Sequence, residues 1–104
     1  MRGEYSQRPI LIQRLLRSAR GLSPKDPFTI LNRGLIELKR GEFARAIAQY
    51  DAALAIDGRR ARAYYGRGMA KLKMGDKSGG DADIAMAKAM LPNVAEEFAN
   101  YGVR

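Results

Sequence analysis

Apolar residues recur along the chain with a helical period. From Phe43 to Leu54 they stand at Phe43, Ala46, Ile47, Tyr50, Ala53 and Leu54, the i, i+3, i+4, i+7 spacing of a helix with one apolar face. The opposite side of that stretch carries Arg45, Gln49 and Asp51. The same period predicts a partner helix from about Phe28 to Arg40 and two more near 62–74 and 77–91. Asp76 stands where it can cap the helix at 77–91. Ser78, Gly79 and Gly80 predict a frayed first turn there, because a glycine inside a helix costs about 1 kcal/mol relative to alanine. Upstream, Ile10, Leu11, Ile12, Leu15 and Leu16 predict an amphipathic helix over 9–22, with Pro9 at its start. Its apolar residues surround more than one face, so a second copy or a partner is expected to cover Ile10, Leu11 and Leu15.

The helices repeat. Moved along itself by 34 residues, the chain places Arg33, Gly34, Leu38, Lys39 and Gly41 on Arg67, Gly68, Leu72, Lys73 and Gly75, and Ala48, Ala53 and Ala55 on Ala82, Ala87 and Ala89. Segments 27–60 and 61–94 thus share eight identities without a gap. Gly34 and Gly68 lack side chains and admit close approach of a paired helix. Gly41 and Gly75 stand where a left-handed residue ends the first helix of each unit. Ala95, Phe98 and Gly102 are in step with Ala61, Tyr64 and Gly68, so 95–104 reads as a truncated first helix that caps the last pair. Ile12, Leu16, Ala19 and Pro24 are in step with Ala46, Tyr50, Ala53 and Gly58, so 9–24 reads as a degenerate half repeat. The expectation is one domain over 1–104, all-α.

Composition narrows the chemistry. Nineteen Lys and Arg stand against eleven Asp and Glu, a net charge of +8, with neither cysteine nor histidine in the sequence. This excludes disulfides, Cys/His zinc sites and His-based acid–base catalysis, and it favours acidic partners. Asp81 and Asp83 lie two apart on a helix, face different ways, and read as charges complementing the helix dipole. Gly79-Gly80 is not followed by the Lys-Ser/Thr of a phosphate loop. No catalytic constellation and no cofactor site is expected. No apolar run approaches the roughly 20 residues that span a bilayer. The composition fits a cytoplasmic location, with an Arg-rich organelle transit peptide over 1–22 as the competing expectation. Nucleic-acid binding through basic and tyrosine side chains and attachment of segment 8–22 to an anionic membrane surface are the alternatives to protein binding.

A 34-residue helix–turn–helix unit with these glycines, Ala46, the large apolar places Tyr50 and Ile84, the late alanines Ala53 and Ala87, and Pro92 resembles the tetratricopeptide repeat (TPR) family. The departures are Arg33 and Arg67 before the glycine, Glu37 and Lys71 for an aromatic, Gly58 for a proline and Gly80 for an alanine. The resemblance implies a short right-handed α-solenoid of antiparallel helix pairs, flanked by the N-terminal amphipathic helix and the C-terminal capping helix. It implies a protein-interaction adaptor whose first helices line a concave groove. Carried onto this sequence, the groove residues are Phe28, Leu31, Asn32, Leu35 and Lys39 of one unit and Arg62, Tyr65, Gly66, Met69 and Lys73 of the next. Lys39, Arg62 and Lys73 imply an acidic or carboxylate-bearing peptide; Phe28, Tyr65 and Met69 imply apolar anchors. Leu31 and Leu35 stand where the chaperone-binding subfamily has its carboxylate-clamping residues, which argues against that ligand.

Overall fold

The computed structural model describes residues 26–103. The expectations for the half repeat at 9–24, the face of Ile10, Leu11 and Leu15, and the transit peptide fall outside these residues. Within them stand five helices: α1 (Pro27–Lys39), α2 (Phe43–Ile56), α3 (Ala61–Lys73), α4 (Lys77–Met90) and α5 (Val94–Asn100). All five starts, and the ends of α1, α3 and α4, fall within one residue of the periodicity; α2 runs two residues further and α5 ends four residues short. Consecutive helices pack against each other through short turns, so the chain advances as antiparallel pairs in a solenoid-like stack.

Local chemistry explains the boundaries. Asp26 caps α1 by accepting from the Phe28 amide at 3.0 Å, and Pro27 opens the helix. Gly41 and Gly75 adopt φ of 80° and 92° after α1 and α3. Each lets the next amide reach back into the helix, Glu42 N–H to the Glu37 carbonyl and Asp76 N–H to the Lys71 carbonyl, both at 2.9 Å. A β-carbon at either glycine would meet nothing within 4 Å. The effect of Gly41→Ala or Gly75→Ala is therefore conformational, a loss of about 1–2 kcal/mol measured by urea denaturation. The first turn of α4 does not fray. Asp76 accepts from the Gly79 amide at 2.9 Å, and the helix runs unbroken from Lys77. The cap supplies what the glycines lack in propensity.

Four glycines inside helices are packing devices. Tyr50 on α2 is only 1% exposed. Its ring lies between Gly34 of α1 and Gly66 of α3, where added β-carbons would come within 2.8 Å and 2.2 Å of Cζ. One aromatic side chain thereby joins three helices. Gly68 performs the second close approach: a β-carbon there would lie 2.8 Å from the Gly80 carbonyl oxygen of α4. A β-carbon on Gly80 would meet the Gly68 carbonyl oxygen at the same 2.8 Å. Gly80 in place of alanine is therefore the partner of Gly68, and the α3 and α4 backbones touch there.

Asp83 is not a dipole charge as expected. It is 7% exposed and accepts from Arg67 through two bonds, 2.8 and 2.9 Å, with Lys71 Nζ at 3.0 Å. Arg67 also donates to Asp51 of α2 at 2.8 Å and lies over the Tyr64 ring, 5.5 Å from its centroid. Arg67 before the glycine thus ties α2, α3 and α4 by charge, beside the joint that Tyr50 makes by packing. Tyr64 is half-buried under this guanidinium and packs against the core.

α5 departs most from the repeat. Gly102, in step with the mid-helix Gly68, instead adopts φ of 89° and ends the helix after seven residues. The Gly102 amide returns to the Ala99 carbonyl at 3.0 Å and the Val103 amide to the Phe98 carbonyl at 2.8 Å. After Gly41 and Gly75 an acidic residue follows and a new helix begins. After Gly102 comes Val103, an aliphatic residue that turns inward and is buried.

Candidate partner-binding face

α1 and α3 form one face, α5 and the turn after it lie against that face, and two hollows remain between them. The first, about 170 Å³, is lined by Leu31, Asn32 and Leu35 of α1, Arg62 of α3, Phe98 of α5, Tyr101 after it, and Tyr50 beneath. The second, about 210 Å³, is lined by Leu38, Lys39, Gly41 and Phe43 around the α1–α2 turn, Met69 and Lys73 of α3, and Gly102 and Val103.

The structure distributes the expected groove residues unevenly. Leu31, Asn32, Leu35 and Arg62 meet at the first hollow. Lys39, Met69 and Lys73 meet at the second. Phe28 lies outside both, 64% exposed, with the Arg60 guanidinium 4.9 Å from its ring centroid. Tyr65 is buried and packs on the Phe98 ring at a centroid distance of 4.7 Å. Gly66 faces the Tyr50 ring rather than open solvent. Sequence reasoning left Tyr50, Phe98, Tyr101 and Val103 off this face. Phe98 and Tyr101 carried a signal, being aromatic residues in a segment already in step with a first helix.

The charges divide in the same way. Arg62, expected to be free for a ligand, donates to both oxygens of Glu97 at 2.9 and 2.7 Å. This pairing raises the guanidinium pKa further, with Glu97 hydrogen bonding as the main cause. Lys39 and Lys73 are exposed and make no ion pair among the described residues. They flank a mixed polar and apolar hollow whose walls include Phe43 and Met69. A carboxylate with an adjoining aliphatic group is the chemistry that such a hollow accommodates.

Beneath the first hollow, the Tyr50 hydroxyl is buried and has no hydrogen-bond partner. Burial raises its pKa, so the group stays neutral. An unpaired buried hydroxyl destabilises by about 1–3 kcal/mol. Tyr50→Phe is therefore expected to raise stability by about 1 kcal/mol, read as a higher urea midpoint with an unchanged slope. A lower midpoint would mean that the hydroxyl bonds within the fold.

Among the described residues no helix is long and apolar enough to cross a membrane. Residues 34–75 match a family model described as TPR repeat. Neither a curated protein nor a solved structure gives a significant match to the chain.

Proposed function

We propose that this chain, whose residues 34–75 match the TPR repeat model, is a non-catalytic adaptor whose α1–α3 face binds an acidic segment of a partner, as repeats of this family generally mediate protein–protein interaction. The observation that carries the reading is the pair Lys39 and Lys73, unpaired among the described residues and lining one hollow together with apolar side chains. Buried cations would need partners; these are exposed, and with Leu38, Phe43 and Met69 they offer charge and apolar contact side by side. Part of the remaining described basic charge is used inside the fold, Arg60 pairing with Asp57, Arg62 with Glu97, and Arg67 and Lys71 with Asp83; Arg33, Arg40, Arg59, Lys77 and Lys88 make no ion pair among the described residues but line neither hollow.

The test is a nuclease-treated pulldown with the wild-type chain beside Lys39→Glu/Lys73→Glu. Both positions are exposed and unpaired among the described residues, so helicity and melting temperature are expected to stay close to wild type. A protein retained by wild type and lost from the variant supports the reading. Retention by both would move the interface away from the second hollow.

A further inference from the structure

The face is already occupied, and the occupant shows what it accepts. Resting on the reading of this face as the partner site, we propose that residues 94–103 are its internal ligand. The partner is then a peptide of the same chemistry: a carboxylate directly followed by an aromatic ring, with an aliphatic side chain five residues beyond. It binds by displacing that segment.

The placement carries the argument. A third first-helix stacked beyond α3 would have no reason to touch α1. Here a β-carbon on Gly102 would lie 3.9 Å from Lys39 Cε at the end of α1. The segment therefore passes across α3, and it does so over residues that the repeat assigns to the ligand side. Tyr65 is covered by Phe98, and Met69 shares its hollow with Val103. The contacts are those of a bound peptide. Arg62 holds both oxygens of Glu97, Tyr65 holds the Phe98 ring, and the buried Val103 lines the second hollow with Leu38 and Met69. Charge, aromatic and aliphatic recognition fall in one line.

Two features make the occupant exchangeable. α5 has seven residues, too few to persist as a helix once it leaves the face. Its ion pair is also half open to water, the Arg62 side chain being 49% exposed. A partner has further chemistry to use at Lys39 and Lys73, which line the hollow beside Gly102 and Val103 and which no acid among the described residues reaches. A peptide with a second carboxylate beyond its aliphatic residue would pair with them.

The experiment uses the full chain and a fluorescent peptide with the sequence of residues 94–103, followed by anisotropy. Phe98→Ala in the chain removes the main anchor of the internal segment. It is expected to bind the peptide at least tenfold more tightly than wild type, on the order of what loss of a buried ring allows. Glu97→Gln, which leaves the apolar contacts in place, should tighten binding by about threefold to fivefold. A peptide carrying Phe98→Ala should bind none of the three proteins. In wild type, saturating peptide should speed hydrogen exchange at the Gly102 and Val103 amides, whose bonds lie within the displaced segment. If Phe98→Ala fails to fold, Glu97→Gln and the exchange measurement decide. Equal affinity for wild type and both variants, no binding by any of them, or unchanged exchange would overturn the proposal and leave α5 as a fixed cap. Dimers that exchange α5 between copies would overturn it as well, since the occupant would then be a second copy. Loss of the partner with Lys39→Glu/Lys73→Glu but no effect of the peptide would sink displacement alone and leave the face reading standing. The reverse result would sink the lysine reading alone.

Discussion

Gly66→Ala is expected to lower the melting temperature by roughly 10 °C or more, the largest effect of any single methyl group in this domain. The added β-carbon would sit 2.2 Å from Tyr50 Cζ and 2.5 Å from the hydroxyl oxygen. A flexible side chain would swing away. The Tyr50 ring cannot, because Gly34 closes its other side and the residue is 1% exposed. Relief requires α3 to move off α2, which opens contacts along the stack. Overpacking of this kind costs about 1–3 kcal/mol and at times more, and a domain of this size loses about 4–8 °C for each kcal/mol. The diagnostic result is coupling. Tyr50→Leu alone should destabilise by removing a buried ring, but combined with Gly66→Ala it should recover part of the alanine defect, because the ring that the methyl group strikes is gone. Additive losses in the double variant would place the strain elsewhere. Gly34→Ala should show the same coupling with a smaller loss, its clash being 2.8 Å.

Gly66 illustrates where the sequence could be read and where it could not. The helices and both turn glycines were legible because two copies of the unit repeat the same demand: Gly34 with Gly68, Gly41 with Gly75, and an apolar stripe on each second helix. What the repeat does not duplicate is invisible to such a comparison. Gly66 is in step with Asn32, and its reason for being glycine is Tyr50, a residue of the preceding unit. The expected groove missed its own covering for a similar reason. Gly102 matched the mid-helix Gly68 in register, yet seven residues of α5 before it and Val103 after it turned the same residue type into a helix terminator. Register reports identity; the function of a glycine depends on what surrounds it. Arg62 looked free because its partner Glu97 lies on α5, a helix whose path the repeat alone does not specify.

Arg67→Ala is expected to destabilise the fold by about 2–3 kcal/mol, close to the Gly66 effect but with a different signature. Removing one partner of a buried ion pair leaves the other charge in a poorly hydrated place, and such losses reach about 3–5 kcal/mol. Here Lys71 still reaches Asp83, and the Arg67 side chain is 20% exposed, so the loss falls at or just below the lower limit of that range. Arg67 sits sixteen residues from each of its acids, Asp51 before it and Asp83 after it. The equivalent Arg33 has Gln49 where Asp83 would be, so Arg33→Ala should change stability by less than about 0.5 kcal/mol. The pH response separates the charge effect from simple packing loss. Burial pushes the Asp83 carboxyl pKa up, but hydrogen bonds from Arg67 and Lys71 outweigh it and hold the group below its ordinary value. A carboxyl that holds its proton less tightly folded than unfolded adds stability above about pH 4, its unfolded value. That stability is lost as pH falls through the lower folded value. Wild type should therefore lose its advantage over Arg67→Ala progressively below pH 4, and the two urea midpoints should converge in acid. Arg67→Met/Asp83→Leu, which removes both charges and fills the space with apolar atoms, should recover most of the stability lost by Arg67→Ala and lie flat across the same pH range. Parallel pH profiles for wild type and Arg67→Ala would mean that the guanidinium acts through its packing on Tyr64 and that the ion pair contributes little.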